Sequence, residues 1–300
     1  MADRPLPRRI AARAHVDYFV RPATNLDELR STLQPHRAYA AYALGQLQPQ
    51  LFARSEWWLA HGAQGQALVL HSKGGLGHAL FALGATDALQ AVLQLHPGPR
   101  HTFLSCQVQH LETMLRYYHL PDQQSMMRML VDNETLQPAE GNTRGLTGRD
   151  VHTINRLYRS AGTPAFYSAE NIDDAVYYGA YEGGSLVAVA GTHVVSPDEG
   201  IAVLGNVFTH PGFRAQGLGA LVTSAVTRHL LTSCREVVLS VDPRNVTAVA
   251  AYRRLGYRDV GRLIEGAAVR RDLVVGAFLR RRLAALRGRR YDAEVVSIPS

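Results

Sequence analysis

The most informative part of the chain is the stretch Asn206-Val-Phe-Thr-His-Pro-Gly-Phe-Arg-Ala-Gln-Gly-Leu-Gly-Ala220. It begins as the end of a strand, turns at Pro211-Gly212, and passes through a glycine-bearing loop into a helix. The first N–H groups of a helix have no partner within it, and the helix dipole makes that end positive. The stretch therefore predicts an anion site suited to a phosphate. The helix is predicted from apolar residues at helical spacing: Leu218, Leu221, Val222, Ala225, Val226, Leu230 and Leu231.

The glycine pattern separates this loop from two other phosphate-binding loops. No Gly-Lys-Ser/Thr ending is present, so a P-loop is not indicated. No G-x-G-x-x-G with an acidic residue downstream is present, so a dinucleotide fold is not indicated. Arg214-Ala-Gln-Gly-Leu-Gly219 instead fits the pattern Arg/Gln-x-x-Gly-x-Gly/Ala. It resembles the acyl-CoA pyrophosphate loop of the GNAT N-acetyltransferase superfamily.

A second segment resembles the same superfamily. Arg235–Asp242 is a β-branched run that predicts a strand, and Pro243 ends it. The next helix is predicted to start at a favoured N-cap and to stop at a favoured C′ glycine. Two signatures in the family's order make the resemblance specific. The second one, Asn-x-x-Ala-x-x-x-Tyr-x-x-x-Gly-Phe/Tyr, is matched at Asn245, Ala248, Tyr252, Gly256 and Tyr257.

Length and composition describe a packed globular protein. Three hundred residues suggest one large domain or two of ordinary size, and the hydrophobic fraction of 46% is normal. No apolar run approaches the roughly 20 residues needed to span a bilayer. The N-terminal arginines lack a following apolar region and predict a short disordered arm rather than a targeting peptide. We therefore expect a cytoplasmic protein with no membrane association. These arginines are Arg4, Arg8, Arg9 and Arg13.

The two cysteines, Cys106 and Cys234, each lie in or beside a strand-like run. Buried free thiols in a reducing compartment are the expectation. No pairing of cysteine with histidine has zinc-ligand spacing, so no metal is expected.

The net charge of +7 is modest for this length, and much of it lies near the C-terminus. The run Leu273–Leu286 predicts an amphipathic helix whose polar face is arginine, most simply a solvated face. The sequence does not favour nucleic-acid binding, because no nucleic-acid motif accompanies the charge. Acidic CoA phosphates are another partner for basic charge. The arginines are Arg280, Arg281, Arg282, Arg287, Arg289 and Arg290.

The order of predicted elements is the same in both halves of the chain. The second half has helices at 149–161 and 168–178, a hairpin of 185–195 with 201–209, the loop helix, the 235–242 strand, the Tyr252 helix and strands at 257–264 and 266–270. The first half has helices at 25–33 and 36–47, strands at 56–60, 66–71 and 78–82, a helix at 85–94, a strand at 101–106, a helix at 108–118 and a strand at 126–131.

Local register supports an internal duplication. Phe103-Leu-Ser105, His110 and Tyr117 match Val238-Leu-Ser240, Asn245 and Tyr252 without a gap. The polar stretch 133–142 is the expected link. We expect an N-terminal GNAT-like domain at residues 1–135 and a catalytic one at residues 136–300.

The first copy lacks the chemistry. Only Leu83-Gly-Ala85 separates its third hairpin strand from its helix, with no Arg-x-x-Gly-x-Gly. Gly74-Gly-Leu-Gly77 joins two strand runs and predicts a hairpin turn. Tyr117 is then a packing residue, and Trp57-Trp58 is interpreted as core rather than a binding platform. The first half is predicted to shape the substrate side or an interface, including that of a possible homodimer.

The resemblance implies a fold class and a reaction. The fold is α/β (α+β), with two tandem GNAT-type domains, each a mixed, mostly antiparallel sheet flanked by helices. The reaction is direct transfer of an acetyl group from acetyl-CoA, as cosubstrate, to an amine. Tyr252 would be the general acid that protonates the thiolate. The residues implied to bind acetyl-CoA are Val207, Phe208, Thr209, Arg214, Gln216, Gly217, Leu218, Gly219, Ala220, Asn245 and Tyr252.

The general base stays open. Some family members carry a glutamate on the strand before the loop, and that position is Val203 here. His193 is the leading candidate, because its strand should flank the acceptor site, although a strand histidine is commonly a hydrogen-bonded core residue. His210, Glu182 and an ordered water are the alternatives. Tyr167, Tyr177 and Tyr178 could line the acceptor pocket or pack in the core.

The acceptor is not indicated by any motif. A small amine or amino-acid-like molecule is one hypothesis. A protein N-terminus or lysine, which needs an open groove, is the second. A non-catalytic acyl-CoA-binding module is the third, supported by the missing glutamate and opposed by Tyr252. Nucleic-acid binding through the C-terminal arginines is the fourth, and it predicts strong salt dependence.

Overall fold

The structure is a computed structural model that describes residues 15–74, 77–162, 165–271, 274–287 and 293–299. The arginine-rich N-terminal arm lies outside these residues, as do Arg289 and Arg290. The helices are α1 (Leu26–Leu33), α2 (Arg37–Gly45), α3 (Pro49–Phe52), α4 (Thr86–Leu95), α5 (Leu111–Tyr117), α6 (Val151–Arg159), α7 (Ala169–Asp173), α8 (Leu218–Leu230), α9 (Val246–Arg254) and α10 (Val274–Arg287).

The strands follow the duplicated order. They are β1 (His15–Pro22), β2 (Ser55–Gly62), β3 (Gly65–Gly74), β4 (Gly77–Gly84), β5 (His101–Cys106), β6 (Tyr118–His119), β7 (Gln124–Asp132), β8 (Arg144–Leu146), β9 (Tyr177–Glu182), β10 (Ser185–Ser196), β11 (Ile201–Thr209), β12 (Glu236–Val241), β13 (Arg258–Arg270) and β14 (Glu294–Pro299).

All of these strands join into one mixed sheet. Its order is β14-β1-β2-β3-β4-β5-β13-β7-β12-β11-β10-β9-β8, and the short β6 pairs with β13. Adjacent strands are antiparallel except for two parallel pairs, β4 with β5 and β11 with β12. The parallel pairs occupy corresponding places in the two halves, as the predicted duplication requires.

The two halves exchange their last long strands. β7 belongs to the first half in sequence, yet it pairs with β12 of the second half through Val237↔Val131 and its neighbours. β13 belongs to the second half, yet it pairs with β5 of the first half through Ala267↔Phe103 and its neighbours. The exchanged strands also pair with each other. Each half therefore completes its sheet with a strand of the other.

Helices cover both faces of the sheet because strand side chains alternate between them. Leu68 and Leu70 of β3 pack with α1 and α2, whereas Ala67 and Val69 pack with α4. In the second half, Val203 packs on the α2 side and Ala202 on the α8 side. Helices α1, α2, α6 and α7 thus lie on one face of the sheet, and α4, α5, α8 and α9 on the other.

Helices of the first half reach across to the sheet of the second half. Arg30 forms an ion pair with the buried Glu199, and Arg37 forms one with Glu236. Gly45 at the end of α2 lies against β10 so closely that a Cβ there would be 2.2 Å from a methyl carbon of Val194. The first half therefore covers part of the second half's sheet.

Most predicted elements are present within a few residues of their expected ends. Trp57 is buried in the core on the α2 side of the sheet, and Trp58 packs against the core on the α4 side. Both cysteines are buried and free. Gly74 pairs with Gly77 as the predicted hairpin requires. The helix predicted at 168–178 is wrong in its second part. α7 ends at Asp173, and Tyr177 begins strand β9, which pairs with β8 and β10.

The C-terminal helix α10 exposes large apolar side chains as well as the predicted arginines. α10 packs through small residues, Ala277 and Ala284, and the Arg280 side chain donates to the Gln94 carbonyl of α4. The exposed side is not simply an arginine face, because large apolar side chains share it with the arginines. These are Val275, Phe278, Leu279, Leu283 and Leu286. Among the helices in the described ranges, none is both long enough and apolar enough to cross a membrane.

The link between the halves imposes a strict steric demand at the end of α9. Gly256 has φ +91, and a Cβ there would lie 1.8 Å from the Thr135 carbonyl oxygen. We expect Gly256→Ala to lower the free energy of unfolding by about 2–4 kcal/mol, through left-handed strain and the backbone clash. Chemical denaturation of the wild-type and variant proteins measures this difference in the free energy of unfolding.

The matched control is Gly183→Ala. Gly183 also has positive φ (+54), but a Cβ there would meet nothing within 4 Å. Only the conformational strain remains, which is about 1–2 kcal/mol. Equal losses in the two variants would show that the Thr135 contact is not a constraint.

Candidate active site

The site lies where β11 and β12 separate. The two strands pair in parallel through only three residue pairs, of which Val203↔Val238 is the last. β11 continues to Thr209 and β12 to Val241 without further pairing. Gly205 and Ser240, two residues beyond the last pair, therefore flank the mouth of a V-shaped opening. Such an opening leaves backbone groups available to an extended ligand.

A bulge shapes the β11 side of the opening. The register of β10 with β11 shifts between Val189↔Phe208 and Gly191↔Gly205. Asn206 within the bulge has φ +54, a conformation uncommon for a side-chain-bearing residue. Two tyrosines hold it: the Tyr158 hydroxyl donates to the Asn206 carbonyl at 2.5 Å, and the Asn206 amide donates to the Tyr177 hydroxyl at 2.8 Å. Backbone strain held in this way is typical of a functional site.

The loop after β11 leads to the N-terminus of α8. Gly217, the N-cap, is left-handed with φ +79, and no side chain caps the helix. The first backbone bond of the helix runs from the Leu221 N–H to the Gly217 carbonyl. The N–H groups of the three preceding residues are therefore free for an anion. A Cβ at Gly217 would meet nothing within 4 Å, so the space above this terminus is open.

The loop also brings the end of β11 against the start of α8. A Cβ at Gly219 would lie 3.3 Å from Thr209 Oγ1, and Arg214 Nε donates to the Thr209 carbonyl at 3.4 Å. Arg214 and Gln216 are exposed, and Leu218 and Ala220 are half-buried against the α8 core. Val207 and Phe208 are half-buried on β11, where the Phe208 ring lies 5.1 Å from that of Tyr158. The predicted phosphate-loop residues thus adjoin the opening.

Helix α9 flanks the β12 side of the opening. Asn245 is its N-cap, accepting a hydrogen bond from the Ala248 N–H at 3.1 Å. The side chain of Asn245 thus braces its own helix. Tyr252 is buried to 8% exposure, and desolvation raises its pKa to about 12. Its hydroxyl bonds to none of the residues the structure describes and is not sealed from solvent.

The corresponding opening of the first half is occupied by the protein itself. His110, in register with Asn245, lies with Nε2 2.8 Å from the Gly84 carbonyl and donates to it. The Tyr39 hydroxyl donates to the Ala82 carbonyl at 2.5 Å. Tyr117, in register with Tyr252, donates to the Gln90 carbonyl of α4 at 3.5 Å. Two backbone carbonyls at the end of β4, those of Ala82 and Gly84, therefore already have side-chain partners.

Loop length separates the halves as well. Helix α4 begins five residues after Phe81, the last parallel-paired residue of β4, whereas α8 begins fifteen residues after Val203, the last parallel-paired residue of β11. The β3–β4 hairpin also pairs without a register shift, unlike the bulged β10–β11 hairpin. Bulge and loop occur together in the second half only.

The predicted base candidates lie in different places. His193 sits in a second irregularity of β10, with Nε2 2.1 Å from where a Gly205 Cβ would be. It is therefore at the opening. His210 accepts from the Gly212 N–H and caps a short turn. Glu182 is exposed at the β9–β10 turn. Val203, at the family's glutamate position, is buried among residues that pack with α2.

The environment of His193 sets its protonation. The His193 side chain is exposed on the side of the opening and lies against Gly205 on its other side. Desolvation, with a contribution from the positive charge of Arg128, lowers its pKa to about 4. His193 is therefore neutral near pH 7. Of the three predicted tyrosines, Tyr167 and Tyr177 pack with Tyr158 near the bulge, whereas the Tyr178 hydroxyl contacts His229 of α8 on the other face.

A polar cluster beside the opening was not predicted. Arg128 of β7 lies in register with Ser240 of β12, and Ser240 Oγ donates to Glu265 of β13 at 3.1 Å. Glu265 Oε1 is 3.8 Å from an Arg128 guanidinium nitrogen. Both charged residues stand in otherwise apolar strand runs, Met126–Val131 and Leu263–Val269, and that contrast was the available signal. Their proximity depends on the exchanged strands.

Comparison with known proteins agrees with this geometry. The model of the Acetyltransferase (GNAT) family matches residues 150–257. That range contains the bulge, the loop, the α8 terminus and Tyr252. No curated protein sequence matches the chain.

Solved structures share the fold over both halves. A Drosophila protein has a TM-score of 0.58 at 12% identity, with 83% of this chain and 98% of that chain covered. A GCN5-related N-acetyltransferase from Kribbella flavida has a TM-score of 0.53 at 16% identity, covering 78% and 97%. One from Sphaerobacter thermophilus has a TM-score of 0.50 at 16% identity, covering 91% and 99%.

At these identities the structures establish the fold, and the family match covers the part of the chain that carries the site. The part of the chain that carries the site, residues 150–257, is thus similar to the GNAT family of acetyltransferases.

Proposed function

We propose that the second half transfers an acetyl group from acetyl-CoA to the primary amine of a small molecule. The observation that carries the proposal is the uncapped, open N-terminus of α8 directly beside the opening between β11 and β12. The helix N-terminus suits a pyrophosphate, and the opening between the strands suits an extended pantetheine arm. Tyr252, with a hydroxyl free to act, lies on the neighbouring helix.

The chain offers a fit for acetyl-CoA at each point of that path. The N–H groups after Gly217 and the Arg214 side chain would hold the pyrophosphate. The backbone of Val207, Phe208 and Thr209 would pair with the pantetheine arm. A backbone N–H at the bulge would polarise the thioester carbonyl and stabilise its oxyanion. Positioning the two reactants in this way supplies much of the rate enhancement.

Two side chains would move the protons. The amine attacks the thioester carbon, so that an N–C bond forms and the C–S bond breaks. Once the nitrogen is bonded to the carbonyl carbon, its N–H group becomes far more acidic. Neutral His193 accepts the proton that the nitrogen then loses. Tyr252 donates its proton to the departing sulfur. Its pKa of about 12 means that the phenol is fully protonated at neutral pH and gives up its proton only as sulfur charge develops.

A small acceptor is favoured over a polypeptide. Arg30, Arg37 and Gly45 of the first half fasten α1 and α2 over the sheet of the second half. The polar cluster beside the opening is enclosed, with Arg128 only 4% exposed. A protein N-terminus or lysine requires an open groove on this face. The cover formed by α1 and α2 therefore favours a small acceptor.

The α8 terminus can be tested by charge. We expect Gly217→Glu to weaken acetyl-CoA binding at least 100-fold, because it places a carboxylate at the end of the helix that would hold the pyrophosphate. Isothermal titration calorimetry measures the affinity. Gly217→Gln, equal in size and equally strained at φ +79, should lose far less. Equal losses would mean that the terminus does not bind the anion.

Tyr252 can be tested by removal of its hydroxyl. We expect Tyr252→Phe to lower kcat by about 100-fold or more while acetyl-CoA affinity changes less than threefold, because the proton donor is lost and the packing kept. The matched control is Tyr117→Phe in the first half, which should leave kcat unchanged. A full-rate Tyr252 variant would remove this residue from the mechanism, and a large loss at Tyr117 would assign chemistry to the first half.

His193 gives a pH prediction. We expect His193→Gln to lower kcat at least tenfold, and the ratio of wild-type to variant rate to stay constant from pH 6 to 8. The constancy follows because a group with pKa about 4 is neutral throughout that range. The ratio cancels the titration of the acceptor amine. A ratio of one would exclude His193 as the base, and a ratio that falls steeply below pH 7 would show that it titrates normally.

A further inference from the structure

The Arg128 guanidinium is buried with its Nε unpartnered among the residues that the structure describes. Its Nε is fully buried and unpaired, and its closest carboxylate oxygen, on Glu265, is 3.8 Å away. The residue is 4% exposed. A guanidinium carries five N–H donors in a planar fork, and burying them unsatisfied is costly. An ion pair that served only stability would bring the carboxylate into hydrogen-bonding range.

Arg128 also lies at the reacting end of the opening. It is in register with Ser240, which flanks the mouth opposite Gly205. Its positive charge is felt by His193, which lies over Gly205. On β7 its neighbour Leu130 packs with α2, so the Arg128 side chain is on the same face of the sheet as Val203 and Val238. This face is opposite the one that carries α8 and the proposed phosphate loop.

We propose that Arg128 binds the carboxylate of the acceptor, so that the substrates of this enzyme are amino acids or related amines that carry a carboxylate. This inference rests on the proposed acetyl transfer and names its substrate class. The planar fork of arginine matches a carboxylate with two parallel hydrogen bonds. The amino group of the same molecule then lies toward Ser240, His193 and the opening.

The nearby Glu265 argues for a zwitterion rather than a more highly charged anion. Its carboxylate accepts from Ser240 Oγ and lies 3.8 Å from Arg128, so the cluster holds one positive and one negative charge. An ammonium and a carboxylate on one small molecule complement that pair. A phosphate group with two negative charges would meet a single guanidinium and be repelled by Glu265.

The test compares amines that differ only in the carboxylate. The twenty amino acids, their carboxamides and phosphoethanolamine are the probes. Acetylation is followed by CoA release, and binding to the full-length protein saturated with CoA is followed by calorimetry. We expect at least one amino acid to bind and be acetylated, with its carboxamide at least 100-fold poorer in kcat/KM.

Variants at Arg128 identify the contact. Arg128→Gln should reduce the acid-to-amide preference to less than tenfold, and Arg128→Lys should restore part of it, since lysine keeps the charge without the fork. Each variant must retain wild-type acetyl-CoA affinity, which verifies that it is folded. Arg262→Gln, an exposed arginine on β13 that pairs with Asp259, is the matched control and should keep the full preference.

The outcomes separate this inference from the proposed function. Amides used as well as acids, equal losses for both in Arg128→Gln, or a preference for phosphoethanolamine would overturn the carboxylate site while leaving acetyl transfer intact. Carboxylate-dependent binding without acetylation would support the site and contradict the transfer. Binding of none of the amino acids would overturn the inference.

Discussion

The exchange of β7 and β13 between the two halves holds the sheet together and places the residues around the second opening. Strand backbones must pair along both edges when they lie inside a sheet, and each half finds its missing partner in the other. The result is one continuous sheet whose two halves cannot be separated without breaking ladders on both sides of β7 and β13. Because β7 lies next to β12, a first-half residue, Arg128, stands beside the opening of the second half.

The sheet thus has two openings, of which one is filled by side chains of the protein and the other stays accessible. Both arise where a parallel pair ends, β4 with β5 and β11 with β12. In the first half, side chains of Tyr39 and His110 bond to the carbonyls of Ala82 and Gly84, so the chain satisfies its own backbone. In the second half, a bulge at Asn206 and a longer loop keep the backbone and the α8 terminus accessible. The first half contributes a cover and one strand beside the second opening, and the second half contributes the loop and helices on which the proposed chemistry rests.

Electrostatics divides the site into two ends. The α8 terminus and Arg214 form a positive end on one face of the sheet, suited to phosphates. On the other face, Arg128 and Glu265 are a buried pair of opposite charges near neutral His193. Tyr252 lies between the core and the opening with its phenol protonated at neutral pH. A reaction that joins a phosphate-bearing donor to a small zwitterion would use both ends at once, with the thioester held where the strands separate.

Local sequence was enough for most of the elements and for the loop and helices on which the proposed acetyl-CoA site rests. Helical spacing and caps such as Asn245 and Gly256 act over a few residues, and the phosphate loop and the Tyr252 helix are contiguous signatures. The Tyr177–Glu182 strand was misread because no local breaker separates it from the preceding helical pattern. Local sequence does not determine which strands pair. An apolar run such as Met126–Val131 fits beside any of several strands, and its actual partners depend on the whole sheet. The acceptor side follows from that choice: Arg128, Ser240 and Glu265 are distant in sequence and meet only because backbone pairing across the halves brings their strands together.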